Sequence, residues 1–144
     1  MRYLTTSEKQ TFALGKKFAR GLKGGEIIGL IGDLGAGKTV FVKGLASGLG
    51  IKNRITSPTF VLMKIYRIAK SKLQNSNSKL VHIDAYRLKS GKEILSTGAE
   101  EYFNKPGSVV IIEWADKIEE ILPKKTKFVK ITSKDKDKRK IIIN

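Results

Sequence analysis

Residues 32–39 read Gly32-Asp33-Leu34-Gly35-Ala36-Gly37-Lys38-Thr39 and decide the fold. This octapeptide meets the pattern of a glycine, four residues, Gly-Lys, and then a serine or threonine. Its glycines let the backbone curl so that several N–H groups point at one anion, and those groups also begin a helix whose positive end favours phosphate. The lysine supplies charge at the β- and γ-phosphates of a nucleoside triphosphate, and the threonine hydroxyl offers a ligand to Mg²⁺. The pattern therefore predicts a phosphate-binding loop.

The segments that flank this loop decide whether the pattern is meaningful, because a glycine-rich turn with an incidental lysine is the alternative. Residues 26–31 (EIIGLI) form a short apolar run suited to a buried strand, and residues 38–49 are helical up to Gly50. Strand, loop and helix in that order are the context that a phosphate-binding loop requires.

The rest of the chain alternates strand and helix signals. Ser7 is a predicted helix N-cap, and Gly24-Gly25 is the predicted end of that helix. Further strands are predicted at 60–68, 80–84 and 109–113, and a closing β-hairpin at 128–132 and 140–143. Helices are predicted at 93–103, with an interruption at Gly98, and at 117–122. A mobile loop is predicted at 69–79, and a solvated turn is predicted at 134–140. This alternation predicts one α/β domain over residues 1–144, with a largely parallel sheet and helices on both faces.

Two acidic residues are placed to complete the site. Asp84 ends the strand 80–84 and Glu113 ends the strand 109–113, and strand C-termini gather at the ligand edge of such a sheet. One carboxylate would bind the metal and the other would orient water, and the residues alone do not assign the two roles. His82 shares a strand face with Asp84, as a core histidine or as a support of the site. Trp114 is either a core aromatic or a residue that packs on the nucleotide.

Composition narrows the class of protein. The 144 residues carry a formal net charge of +16 and no cysteine, so disulfides and thiolate metal sites are excluded. The charge either attracts a polyanion such as RNA or spreads over a solvated, lysine-rich surface. The N-terminus lacks the apolar core of a secretion signal, and no apolar run nears the ~20 residues that span a bilayer. We expect a cytoplasmic protein with no membrane partner.

Four motifs in a fixed order resemble one family. The phosphate-loop sequence is followed by Ser57-Pro58-Thr59-Phe60, then by residues 82–88 (HIDAYRL), then by Ile112-Glu113-Trp114. Together they resemble the bacterial TsaE family, the small ATPase of tRNA threonylcarbamoyladenosine synthesis. The resemblance extends over roughly residues 7 to 122 and includes an opening segment at residues 7–11.

The resemblance implies a P-loop NTPase fold, a three-layer sandwich, with ATP and Mg²⁺ as cofactors and weak ATP hydrolysis. It also implies a role with the TsaB and TsaD proteins in modifying adenosine 37 of tRNAs that read ANN codons. On this resemblance, the chain would act on tRNA indirectly, through its partner proteins. Direct contact with tRNA stays open because of the high positive charge. ATP rather than GTP rests on the resemblance, although the guanine-reading Asn-Lys-x-Asp pattern is also absent from the chain.

The same resemblance assigns roles to individual residues. Thr39 and Glu113 would bind Mg²⁺, Asp84 would lie near the γ-phosphate as base or water-positioning group, and residues 56–59 would form a switch-like loop. Lys38, Asp84 and Glu113 are the predicted catalytic residues. The predicted nucleotide-binding residues are Glu8, Thr11, Gly32, Asp33, Leu34, Gly35, Ala36, Gly37, Lys38, Thr39, Val40, Trp114 and Asp116.

Two other classes of function remain as alternatives. A small-molecule kinase would share the phosphate loop and the strand acids, but it usually adds a lid and an acceptor pocket, for which 144 residues leave little room. A non-enzymatic RNA-binding module would explain the charge, but the chain contains no aromatic-rich RNA motif.

Overall fold

A computed structural model describes residues 1–58, 62–69, 73 and 77–144. Within these residues seven strands form one mixed sheet in the order β1-β7-β6-β2-β5-β4-β3. The four central strands β6, β2, β5 and β4 run parallel, and β3, β7 and β1 pair antiparallel at the edges. The predicted α/β class and largely parallel centre are therefore confirmed.

The elements have the following bounds. The strands are β1 Arg2–Thr5, β2 Ile27–Ile31, β3 Met63–Arg67, β4 Lys79–Asp84, β5 Ser108–Glu113, β6 Lys127–Ser133 and β7 Arg139–Ile143. The α-helices are α1 Glu8–Ala19, α2 Lys38–Gly48 and α3 Lys92–Leu95, and two 3₁₀ helices cover Ala99–Tyr102 and Ala115–Ile121.

Alternate residues of the central strands face two separate apolar cores. On β2, Ile28 and Leu30 pack with residues of α2, while Ile27 packs on the other side of the sheet with the short helices that follow β4 and β5. Both cores are almost completely buried. Helical layers on both sides of a sheet are the three-layer arrangement that the sequence pattern predicts.

The two long helices cross at very close range because each presents a glycine to the other. An added Cβ at Gly15 would lie 2.3 Å from the carbonyl oxygen of Phe41, and one at Gly44 would lie 2.0 Å from that of Phe12. No larger side chain fits at either point. This crossing holds the first turn of α2 beside the first turn of α1, where the site is built.

Several predicted boundaries are wrong. The first helix ends at Ala19, well before Gly24-Gly25, because Arg20 already caps it. The helix predicted at 93–103 forms only as the shorter α3 and a 3₁₀ helix, whereas the interruption predicted at Gly98 is confirmed by its left-handed φ of 77°. The predicted helix 117–122 is a kinked 3₁₀ helix that begins at Ala115.

Three further features of the fold differ from the expectation or go beyond it. Strand β1 was not predicted, and the strand expected at 60–68 is Met63–Arg67. Residues 60 and 61, and 70–72 and 74–76 of the expected loop 69–79, lie outside the described residues. None of the described helices has the length and apolarity needed to cross a membrane.

Candidate functional site

A cavity of about 480 Å³ opens at the edge where β2, β4 and β5 end. This volume falls in the range of small-molecule sites. Its walls come from the phosphate loop, the first turns of α1 and α2, both strand-end acids and the turn between β6 and β7. The lining residues are Glu8, Thr11, Leu34, Gly35, Gly37, Lys38, Thr39, Val40, Ser57, Asp84, Tyr86, Glu113, Trp114, Lys136, Asp137 and Arg139.

The loop between β2 and α2 has the backbone that its glycines allow. Gly35 and Gly37 have φ of 75° and 105°, which is left-handed backbone that side chains disfavour, and Gly37 is the N-cap of α2. Gly32 is needed for a different reason, because an added Cβ would lie 2.4 Å from the carbonyl oxygen of Ile131. The N-terminus of α2 therefore faces the cavity, where its dipole favours an anion.

Lys38 is the cation of this loop. Its ammonium group donates to the carbonyl oxygens of Gly32 and of Asp33, the latter at 2.8 Å, and lies 4.0 Å from the ring centroid of Trp114. Burial lowers the pKa of Lys38, and nearby acids, Glu113 foremost, oppose that effect. Within the described part of the chain, carbonyl oxygens and an aromatic ring hold this buried ammonium, which is therefore well prepared to receive a phosphate.

Glu113 connects the phosphate loop to the core of the sheet. Its Oε1 accepts a hydrogen bond of 3.0 Å from the hydroxyl of Thr39, and its Oε2 lies 2.7 Å from Nε2 of His82. Glu113 is 3% exposed and His82 is fully buried. The two predicted metal ligands, Thr39 and Glu113, are therefore brought together.

Asp84 lies on the neighbouring strand, in register with Glu113. Its Oδ2 accepts from the hydroxyl of Ser57 at 2.7 Å, and its Oδ1 accepts from the backbone N–H of Tyr86 at 2.9 Å. The two acids thus stand side by side with different partners. Of the expected switch-like loop, Ser57 reaches the site, and Thr59 lies outside the described residues.

Trp114 has an unusual backbone for an aromatic residue. Its φ and ψ of 60° and 40° are left-handed, a conformation that costs a non-glycine residue about 1–2 kcal/mol. Because of this turn directly after Glu113, the indole lies over the cavity. It packs at a tilt against the ring of Tyr86, and the two ring centroids are 5.0 Å apart. The ring is half-buried and lines the site, so Trp114 is not merely a core aromatic.

The turn between β6 and β7 also reaches the site, although the sequence predicted only a solvated turn there. Arg139 donates to the carbonyl oxygen of Gly35 at 3.4 Å and to three carbonyls within its own turn. Lys136 and Asp137 line the same wall. The sequence carried no local signal for this, because the turn meets the phosphate loop only through the pairing of β6 with β2.

Most of the predicted nucleotide-binding residues lie at or beside this cavity. Glu8, Thr11 and Val40 line the cavity together with Leu34, Gly35, Gly37, Lys38 and Thr39 of the loop. Gly32, Asp33 and Ala36 support the loop from outside the cavity wall, Ala36 as a buried residue. Asp116 does not line the cavity. It follows the left-handed turn at Trp114 and is exposed on the 3₁₀ helix, so its charge reaches Lys38 only at a distance.

The donor set fits one magnesium ion that is shared with phosphates. Among the described residues no three His, Cys, Asp or Glu side chains cluster as a complete metal site. The pair formed by Thr39 and Glu113 offers two oxygens beside the phosphate loop, and Mg²⁺ commonly takes one or two protein oxygens together with substrate phosphates and water. A resident metal cage does not fit these residues, whereas a nucleotide-bound magnesium does.

The fold and this loop define the class of protein. A central strand that leads through a glycine loop into a helix, with acids ending the next two parallel strands β5 and β4, is the arrangement of P-loop NTPases.

Comparisons with known proteins agree with this class and narrow it. The family model described as "Threonylcarbamoyl adenosine biosynthesis protein TsaE" matches residues 5–141. The relative in Bacillus subtilis, named tRNA threonylcarbamoyladenosine biosynthesis protein TsaE, is 39% identical over 98% of this chain and 83% of its own length. The Treponema pallidum protein of the same name is 40% identical over 88% of this chain and 87% of its own length.

A solved structure supports the same assignment. The crystal structure of YdiB from Bacillus subtilis is similar with a TM-score of 0.76 and 37% sequence identity, over 98% of this chain and 82% of that one. The chain therefore belongs to the TsaE family, as the order of its motifs indicated.

Proposed function

We propose that the chain binds and hydrolyses Mg·ATP in the cavity described above. The observation that carries this proposal is the contact between Thr39 and Glu113, a hydroxyl and a carboxylate 3.0 Å apart beside the phosphate loop. Thr39 and Glu113 would hold a magnesium ion that neutralises phosphate charge, as a hydroxyl and a carboxylate do in P-loop enzymes. This pair has no evident use in a protein that binds only RNA.

The other side chains have complementary tasks in this proposal. The loop amides and the N-terminus of α2 bind the phosphates, and Lys38 exchanges its carbonyl partners for phosphate oxygens. Asp84 orients the attacking water and accepts its proton, because its carboxylate faces the cavity beside Glu113. Arg139 adds a cation above the loop, and Trp114 and Tyr86 exclude water from one wall.

We further propose that this ATPase acts with TsaB and TsaD in the threonylcarbamoylation of adenosine 37 in tRNAs that read ANN codons. The support is the name that the relatives carry, tRNA threonylcarbamoyladenosine biosynthesis protein, at 39–40% identity over most of the chain. Hydrolysis would support repeated turnover of the modifying complex rather than perform the transfer itself. Direct contact with tRNA remains a secondary proposal that rests on the net charge of +16.

Phosphate release by the purified chain, with and without the TsaB and TsaD proteins of the same organism, tests this function. We expect slow release alone and clear stimulation by the two partners. Lys38→Ala should abolish turnover, and Glu113→Ala should lower it by about 10²-fold or more.

The same measurements can reject the proposal. Release that the partners do not change would contradict the assignment to the tRNA-modifying complex. Phosphate transfer to a small metabolite, with no free phosphate formed, would instead indicate a kinase.

A further inference from the structure

His82 places a polar ring at a position where burial is energetically unfavourable. It lies in the middle of β4 between Val81 and Ile83, and none of its surface is exposed. Its register partner on β5 is the apolar Ile111. Burying an imidazole there costs free energy that a valine or isoleucine would not, unless hydrogen bonds compensate for it.

One hydrogen bond compensates for part of this cost. Nε2 of His82 lies 2.7 Å from Oε2 of Glu113. A carboxylate has only acceptors, so Nε2 donates this bond. Nδ1 of the same ring is buried and has no partner among the described residues. A buried polar atom without a partner costs about 1–3 kcal/mol, so hydrogen bonds within the described residues do not fully compensate for burial of the ring.

The hydrogen bond determines which way the carboxylate of Glu113 faces. With Oε2 held by the ring from within the core, Oε1 is directed at the hydroxyl of Thr39 on the phosphate loop. Asp84 is held differently, by the hydroxyl of Ser57 from the segment between α2 and β3 and by the backbone N–H of Tyr86 just after β4. Only Glu113 of the two acids is anchored to the interior of the sheet.

We propose that His82 is a positioning residue, which fixes the carboxylate of Glu113 so that Oε1 is presented to a magnesium ion bound with the nucleotide. The inference rests on the proposed function. His82 does not line the cavity and touches no reacting atom, so it acts only through Glu113. Supporting hydrogen bonds of this kind typically change metal affinity by 10–100-fold.

The experiment measures metal binding rather than turnover. Mn²⁺ serves as the probe, and electron paramagnetic resonance follows free Mn²⁺ in the presence of ADP, while calorimetry follows ADP alone in EDTA. His82→Leu removes the donor at similar volume. His82→Gln keeps an N–H near the position of Nε2. Ile111→Val is the matched control, because it disturbs the same pair of strands without touching Glu113.

We expect His82→Leu to weaken Mn²⁺ binding by about 10–100-fold while the affinity for metal-free ADP changes less than about threefold. His82→Gln should recover most of the loss, and Ile111→Val should bind Mn²⁺ as the wild type does. The inference is overturned if Mn²⁺ affinity stays at the wild-type value in a folded His82→Leu. If that variant does not fold, His82→Asn takes its place, because its shorter amide does not reach Oε2 of Glu113. Weakened Mn²⁺ binding with unchanged affinity for metal-free ADP then supports the role, and wild-type Mn²⁺ affinity refutes it.

Failure of the proposed function would look different. In that case the wild-type chain itself would bind neither ADP nor Mn²⁺·ADP, and the inference would fall with the function. Normal binding by the wild type and by His82→Leu alike would remove only the role of His82.

Discussion

Replacing Gly44 with alanine should destabilise the fold and disturb the site together. The new Cβ would lie 2.0 Å from the carbonyl oxygen of Phe12, and ordinary contact begins at 3.4 Å, so the helices α1 and α2 must separate by about 3.4 − 2.0 = 1.4 Å. Such overpacking typically costs 1–3 kcal/mol and occasionally more, while alanine returns about 1 kcal/mol of helix propensity. Since backbone cannot move aside as a side chain can, we expect the cost to lie at the upper end of that range, which leaves a net loss of about 2 kcal/mol.

Urea-induced unfolding, followed by far-ultraviolet circular dichroism, measures this loss, and a melting curve should show a decrease in Tm of about 4–8 °C. Gly21→Ala is the matched control. Its nearest contact, the carbonyl oxygen of Phe18, would be 3.7 Å from the new Cβ, so this variant should be unchanged or slightly more stable. ADP affinity should fall in Gly44→Ala as well, because α1 and α2 each contribute a wall of the cavity. A Gly44→Ala protein with the unfolding midpoint of the wild type would refute the reasoning.

Three other outcomes follow from the site. Asp84→Asn should keep ADP affinity within a few-fold but lower the rate of phosphate release by about 10²–10⁴-fold, because a general base is lost. An unchanged rate would mean that another residue activates the water. Arg139→Gln should weaken ATP binding, measured by calorimetry, by about tenfold or more, because it removes one charged hydrogen bond. The control Lys105→Gln removes an exposed charge and should leave ATP binding unchanged. Removing divalent metal with EDTA should stop hydrolysis while ADP still binds through the loop; hydrolysis that persists in EDTA would argue against a metal held by Thr39 and Glu113.

The parts of the fold that could be predicted from sequence are those with local causes. The strand, glycine loop and helix around Lys38 are encoded by consecutive residues, and β2 and α2 lie within one residue of their predicted bounds. The positions of Asp84 and Glu113 followed from a general rule, that parallel strands end at the same edge of the sheet.

The parts that were missed depend on distant pairing. Strand β1 is four residues long with an exposed, partly polar sequence, and it exists because Arg2 pairs with Ile142 at the other end of the chain. Arg139 has the same explanation, since only the pairing of β6 with β2 carries its turn to the phosphate loop.

Trp114 gives the site a property of its own. It is the only tryptophan in the chain, and its indole lies between the ammonium of Lys38 and the ring of Tyr86. Ultraviolet emission excited at the red edge of protein absorbance therefore comes from this one wall of the cavity. When Lys38 leaves the indole to meet a phosphate, the emission should change, so the unlabelled protein carries its own optical probe of occupancy.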